Sequence, residues 1–257
     1  MVNPSFVSRT IWFMNITLRH IALIALPVFL IGCTAPKDVE FYDPAEPFNR
    51  QVHKFNKFAD QALLNPAGEA YGVVFNDEMS QILDNFTDNL SKPATIANEL
   101  LQLKFADALT STMRFLVNST IGLGGLVDPA DDMGIPDTEQ DFGATLHRYG
   151  VGEGAYVELP FFGGSNVRDS VGLVVDLAFD PLRLSQPRKY QYAITGAQIV
   201  QYAGDRHEFD SFIDELLYNS EDSYLSQRLF YLQNRRAELG AGKVVASEIE
   251  DPFADDF

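Results

Sequence analysis

The 257-residue sequence contains one cysteine and one tryptophan, and only 19 lysines and arginines against 36 aspartates and glutamates. A single cysteine excludes a disulfide within the chain and a metal site built from cysteines. The net charge of -17 and the lack of a basic cluster argue against nucleic-acid binding, because such proteins neutralise phosphates with lysine and arginine. Hydrophobic residues still make up 46% of the chain, which is enough for a folded domain with a sizeable core.

The N-terminal apolar run, residues 21–31, has about half of the ~20 residues that a membrane-spanning helix needs. It follows Arg9 and Arg19 and ends in Leu30-Ile31-Gly32-Cys33. A basic segment, a short apolar segment and a small residue before the cut are typical of a signal peptide, and the following cysteine makes a lipobox. We therefore predict a lipoprotein signal peptide at residues 1–32 and a covalent N-acyl diacylglyceryl group on Cys33.

Residue 34 sets the predicted destination of this lipoprotein. Bacterial sorting generally retains lipoproteins with aspartate at this position in the inner membrane, and Thr34 lacks the carboxylate. We therefore expect a lipid-anchored protein of the outer membrane that faces the periplasm. Two alternatives remain at this point: translation from Met14 instead of Met1, which gives a more typical signal length, and a cysteine present by chance.

The mature chain divides into three predicted parts. Residues 33–41 form a short lipidated tether, residues 42–240 a helical domain, and residues 241–257 a disordered tail. The tail is assigned because its last ten residues include five acidic side chains, which favour solvation over packing.

Apolar spacing predicts helices through most of the domain. Met79, Ile82, Leu83, Phe86 and Leu90 form one helical stripe, which Asn76 caps and which Pro93 is expected to end. Residues 105–118 are apolar on two faces, so this helix either lies between two layers of a core or faces lipid on one side. For an isolated sequence the core interpretation is the more common one.

No pattern of catalytic residues is present. The glycine-rich stretch at residues 121–162 includes Gly150, Gly152 and Gly154, but it lacks the strand, the helix and the third glycine that a dinucleotide site requires. His53, His147 and His207 are far apart, without an HExxH motif, and there is no GxSxG elbow. We predict neither an enzyme nor a bound cofactor or metal, although acid–base groups distant in sequence remain able to meet in the fold.

Several ordered motifs resemble the MlaA (VacJ) family of outer-membrane lipoproteins. They are residues 43–50 (DPAEPFNR), 85–90, 122–128 (GLGGLVD), 141–146 (DFGATL), 149–154 (YGVGEG), Arg168-Asp169, and the helical series Tyr224, Arg228, Tyr231 and Arg235. The resemblance extends over residues 42–238. Pro47 departs from the family, which usually has glycine there, and we expect an altered helix entry.

The resemblance implies an all-α, ring-like domain of amphipathic helices that lies in one membrane leaflet around a polar channel. It further implies removal of mislocalised phospholipids from the outer leaflet, beside a trimeric porin, and their transfer to a soluble periplasmic carrier. We place Arg168, Asp169, Gly150, Gly152 and Gly154 near this path as candidate head-group contacts, with an internal ion pair as the alternative for Arg168. A scaffold that ties porins together and a lipid-cleaving enzyme are the competing functions.

Overall fold

The computed structural model describes residues 41–179 and 188–240, so Cys33 and the predicted tail lie outside the described residues. Helices predominate in these ranges, as predicted. They are α1 Glu46–Ala59, α2 Asn65–Val74, α3 Asp77–Leu101, α4 Phe105–Thr120, α5 Pro129–Asp132, α6 Phe142–Arg148, α7 Val167–Phe179, α8 Arg188–Glu208, α9 Asp210–Asp214 and α10 Ser223–Glu238, with π-helical segments at Asp60–Leu64 and Glu215–Asn219. Strands β1 Tyr156–Leu159 and β2 Gly163–Asn166 pair antiparallel, with Tyr156 opposite Asn166.

Side chains at the helix starts explain several boundaries. Asn76 accepts a hydrogen bond of 2.9 Å from the backbone N–H of Met79, as its position before the stripe predicts. Asp141 caps α6 and Asp222 caps α10 in the same manner. Pro47 lies in the first turn of α1, where backbone N–H groups have no acceptor within the helix. Proline therefore removes no helical hydrogen bond at this position.

The predicted end of the helix at Pro93 is wrong, because α3 continues through Pro93 to Leu101. Proline removes one backbone hydrogen bond at this point, but α4 packs along α3 and buried side chains on both sides of Pro93 hold the two turns together. Tertiary packing therefore outweighs the local preference against proline.

The contacts between elements form a closed circuit. α1 packs against the first π-helical segment, which leads to α2; α2 packs on α8, α8 on α3, α3 on α6, and α6 on α7. α7 packs on β1, and β1 returns to α1. α4 lies along the outside of α3, and α10 joins β2 to the second π-helical segment. This arrangement leaves space inside the circuit.

The interior of the fold is polar and its exterior is apolar. Among the described residues, 12 hydrophobic side chains are buried, against 20 that are polar or charged. The buried set includes Lys92, Glu99, Glu158 and Arg168, while many large hydrophobic side chains are exposed. Globular proteins in water have the opposite distribution, since lysine and glutamate are almost never fully buried there.

Helix α4 illustrates this inversion most clearly. Its exposed face carries Leu109 and Met113, which are 63% and 50% exposed, whereas Arg114 on the inner face is only 4% exposed. The helix is 16 residues, or about 24 Å, long. Of the two interpretations left open by the sequence, an outward apolar face is the one found. No helix within residues 41–179 and 188–240 combines the length and apolarity needed to cross a membrane.

Candidate functional site

A cavity of about 530 Å³, called here the central cavity, lies between α3, α6, α7, α8 and α10. Its charged lining consists of Asp88, Glu139, Asp141, Asp176, Glu238 and Arg235, and Asn98, Gln198 and Gln201 add amide groups. Five helices that are distant in sequence therefore supply one polar chamber. Its volume lies in the range of pockets that hold small molecules.

Arg235 and Asp169 form the centre of the ion-pair network beside this chamber. Arg235 donates to Asp141 at 2.7 Å and to Asp169 at 3.1 Å. Asp169 also accepts from Arg168 at 2.9 Å and from the Tyr231 hydroxyl at 2.7 Å. These bonds connect α6, α7 and α10, so they hold three walls of the chamber in one position.

Burial alone raises the pKa of Asp169, but the hydrogen bond from Arg168 and the positive charge of Arg235 outweigh it and lower the pKa to about 2. The carboxylate therefore stays charged over the whole physiological range. Hydrogen bonds between an ionised carboxylate and a guanidinium group are about twice as strong as hydrogen bonds between neutral groups.

The crossing of α6 and α7 beside this network requires two glycines. A Cβ atom on Gly172 would overlap the backbone nitrogen of Gly143, and a Cβ atom on Gly143 would overlap the Asp169 carboxylate. The two backbones therefore touch directly, with no room for a side chain.

The candidate residues predicted from the sequence fall in different places. Asp169 lines a second cavity of about 330 Å³, called the hairpin cavity, next to the central one. Arg168 is buried behind it and binds Asp169 and His147, the internal pair that the sequence left open. Gly150 and Gly154 have positive φ angles of 81° and 73°. Neither they nor Gly152 line the central or hairpin cavity, and their contact with a head group stays a prediction.

Replacement of Asp88 by asparagine is expected to raise the free energy of unfolding at pH 7.5 by about 1 kcal/mol, since solvent screening limits the effect at this accessible position. Burial, followed by the negative charge of Glu139, raises the pKa of Asp88 to about 6. Because its pKa is raised, the charged carboxylate of Asp88 destabilises the fold above pH 6. This destabilisation disappears below the ordinary pKa of aspartate, which is near 4. Urea unfolding in detergent at pH 7.5 and pH 4 measures the gain, which should vanish at the lower pH. An equal gain at both values, or the same gain for the exposed control Asp132→Asn, would contradict this origin.

A second polar cluster joins α1, β1 and α10. The Ser223 hydroxyl lies 2.9 Å from His53 Nε2, and His53 Nδ1 lies 3.3 Å from the Glu158 carboxylate. Serine, histidine and carboxylate follow one another here in the order of a hydrolase triad. Sequence reasoning missed this row, since its members are separated by more than 60 residues and carry no local motif.

The surroundings of this row favour a structural role. The Glu158 carboxylate accepts hydrogen bonds from the Tyr156 hydroxyl, from Asn56 and from Gln227. Lys57 donates to Ser223 at 3.2 Å and to the Leu217 carbonyl at 2.5 Å. The row is thus part of a network that connects the strand to two helices, and each buried polar group in it has a partner.

A third cluster holds the two π-helical segments together. Buried Arg206 donates to Asp60 at 2.9 Å, to Asp210 at 2.6 Å and to Asp214 at 2.7 Å, and the Tyr218 hydroxyl also binds Asp60 at 2.7 Å. A cavity of about 440 Å³ with mostly apolar walls, called the apolar cavity, lies beside it. The described residues contain no group of three or more histidines and acids placed to bind a metal ion.

The sequence of this chain is similar to those of several known proteins. The family model described as MlaA lipoprotein matches residues 41–238. A protein of Rickettsia conorii without an assigned function is 37% identical over 191 residues, covering 74% of this chain and 75% of that protein. The intermembrane phospholipid transport system lipoprotein MlaA of Escherichia coli is 31% identical over 240 residues, covering 90% and 92%.

One solved structure resembles the fold closely. It comes from work on the structural basis for maintenance of bacterial outer membrane lipid asymmetry, and its TM-score is 0.64 at 31% sequence identity. The similarity covers 77% of this chain and 98% of that one.

Proposed function

The chain belongs to the MlaA lipoprotein family, and from this premise we propose that it removes mislocalised phospholipids from the outer leaflet of the outer membrane. The lipid passes through a polar channel inside the helical circuit and goes on to a soluble periplasmic carrier, which maintains lipid asymmetry. The acylated Cys33 holds the protein in the periplasmic leaflet beside a trimeric porin. The relatives from Escherichia coli and Shigella flexneri, named as lipoproteins of a phospholipid transport system, support this role.

The observation that carries the proposal is the polar interior within an apolar exterior. An exterior of exposed leucine, phenylalanine and methionine is stable in hydrocarbon, where it replaces lipid contacts without cost. A head group in the same hydrocarbon is very costly unless polar groups surround it. The buried carboxylates, amides and guanidinium groups provide such surroundings inside one leaflet.

The cavities adjoin one another along α10, which suggests the course of the path. Asp141, Arg235 and Glu238 line both the central and the hairpin cavity, and Tyr231 and Asn234 line both the hairpin and the apolar cavity. A lipid on this course would keep its head group against polar walls and an acyl chain against apolar ones. In this proposal Asp169 faces the path and Arg168 fixes its carboxylate from behind.

The proposal is tested by deletion of the gene and chemical labelling of surface-exposed phospholipid on intact cells. Loss of the protein is expected to increase the labelled phospholipid and the sensitivity to detergent, and the wild-type gene should restore both. Cys33→Ser removes the thiol that accepts the lipid anchor. This variant should therefore restore neither normal labelling nor detergent resistance. Normal labelling in the deletion strain would refute the transport role. A scaffold without transport would instead fail to move lipid between reconstituted vesicles.

Ser223→Ala is expected to leave lipid transfer unchanged, because the proposed path requires no nucleophile. Phospholipid recovered after transfer between vesicles should have an unchanged mass, and a fluorophosphonate probe, which labels activated serines, should not label the wild-type protein. Labelling that Ser223→Ala abolishes, together with lysophospholipid as product, would establish the Ser223–His53–Glu158 row as catalytic and contradict the structural role.

A further inference from the structure

A further cavity of about 520 Å³, called the acidic cavity, lies between α3 and α8. It shares no lining residue with the central cavity, but Asp84 of the acidic cavity and Asp88 of the central cavity lie one helical turn apart on α3, and the two cavities together are called the groove. From α3, Asp88 lines the central cavity and Asp77 and Asp84 line the acidic one. From α8, Asp205 and Glu208 line the acidic cavity. Residues three, four or seven positions apart share one helix face, so each helix turns one continuous acidic face towards the groove.

Among the described residues that line the acidic cavity there is no lysine or arginine, and His207, which also lines it, forms no ion pair with these carboxylates. Asp77, Asp84, Asp88, Glu139, Asp205 and Glu208 form no ion pair with any residue in the ranges 41–179 and 188–240. The neighbouring cations are already engaged: Lys92 binds Asp137, and Arg206 binds Asp60, Asp210 and Asp214. Arg235, the cation that lines the central cavity, is held by Asp141 and Asp169.

The carboxylates also repel one another across the groove. Burial raises the pKa of Asp84, and the charge of Glu208 raises it further. Burial likewise raises the pKa of Asp205, with the charges of Asp84 and Glu208 acting in the same direction. A positively charged group between the two helices would relieve this repulsion.

Tyr71 independently indicates a ligand in the acidic cavity. Its side chain is only 7% exposed, yet its hydroxyl has no hydrogen-bond partner among the described residues. The ring stacks on Phe75 at 4.3 Å and packs against the backbone of Gly204, where a Cβ would lie 2.9 Å from the ring carbon that bears the hydroxyl. An unpartnered hydroxyl oxygen and several carboxylates around one cavity are acceptors for the N–H groups of an ammonium ion, which has three donors and no acceptor.

We propose that this groove recognises the ammonium group of zwitterionic phospholipid head groups and disfavours anionic lipids. The inference rests on the proposed passage of phospholipid through the molecule and specifies the lipid class. An ethanolamine head group brings its ammonium to the unpaired carboxylates and to the hydroxyl oxygen of Tyr71. A glycerol head group brings a net negative charge into the same acidic groove and offers the carboxylates no positive charge.

The test uses the full acylated lipoprotein and vesicles with equal amounts of phosphatidylethanolamine and phosphatidylglycerol, at pH 7.5. The transfer of each lipid to acceptor vesicles is measured by mass spectrometry. Wild type is expected to favour the ethanolamine lipid about fivefold, as one additional hydrogen bond at a solvent-accessible site would give. Asp84→Asn with Asp205→Asn should bring the ratio close to one, while the exposed control Asp132→Asn keeps it.

Tyr71→Phe and Tyr71→Leu separate the ring from the hydroxyl. Both variants should lose part of the preference to the same extent, because both lack the hydroxyl. A preference that Tyr71→Phe keeps in full would exclude the hydroxyl as a contact. Equal transfer of both lipids by wild type, unchanged in the double variant, would overturn the head-group inference and leave the transport function intact. No transfer of either lipid by wild type would overturn the proposed function and the inference with it.

Discussion

Replacement of Asp169 by asparagine is expected to lower the free energy of unfolding by about 3 kcal/mol at pH 7, the lower end of the cost of breaking a buried ion pair. The substitution keeps the size of the side chain but removes the charge between Arg168 and Arg235. Arg168 would then be 5% exposed with a positive charge and no carboxylate against it. Denaturant unfolding of the purified protein in detergent measures the loss.

The pH dependence distinguishes charge from shape in this experiment. Because the pKa of Asp169 is lowered to about 2, its ionised form stabilises the fold above the ordinary value near 4, and this stabilisation is lost as the pH falls through about 2. The difference between wild type and Asp169→Asn should therefore be full at pH 7 and shrink below pH 4. Asp132→Asn, at an exposed site, should change stability by no more than about 0.5 kcal/mol. A pH-independent difference would assign the effect to lost hydrogen-bond geometry instead.

Two arginines on the outer face of α4 are expected to weaken vesicle binding strongly in the chain that lacks residues 1–33. Leu109 and Met113 lie one helical turn apart near the middle of α4, on its exposed side. An arginine at such a depth costs about 3 kcal/mol, so Leu109→Arg with Met113→Arg should reduce the affinity for vesicles at least about a hundredfold. Vesicle co-flotation measures the change.

A matched control separates this effect from the added charge. Gln233→Arg with Ala237→Arg introduces the same two charges, also one turn apart, at exposed positions of α10 that line neither the central nor the hairpin cavity. This variant should bind vesicles as wild type does, and circular dichroism should show equal helix content in both variants. Equal binding by both would mean that the apolar face of α4 does not contact lipid.

Local sequence patterns were sufficient for many helices but not for the orientation of their faces. The cap at Asn76 and the helix that carries Tyr224 and Arg235 were predicted correctly. The stripe at Met79 and Ile82 also exists, but both side chains are 44% exposed. Hydrophobic periodicity identifies an apolar face without specifying whether protein or lipid covers it. The polar residues between the stripes, such as Lys92 and Glu99, are buried. Their burial shows that the polar faces of these helices point to the interior and the apolar faces to the outside.

The site was less predictable than the fold, because its contacts join distant segments. Arg235 meets Asp141 and Asp169 across 94 and 66 residues, and no local pattern pairs them. The resemblance drew attention to Arg168 and Asp169 but not to the carboxylates of α3 and α8. The hairpin of β1 and β2 was also missed, since its strands have four residues each and one includes Gly163 and Gly164.

The contact of Gly143 with Gly172 has a mechanical consequence. Two helices that meet through interdigitating side chains can shift by exchanging rotamers, but bare backbones in contact offer no such intermediate positions. We therefore expect the contact of α6 and α7 to keep its geometry when other parts of the fold move. Any widening that admits a bulky two-tailed molecule has to take place at joints elsewhere in the circuit, where side chains separate the helices.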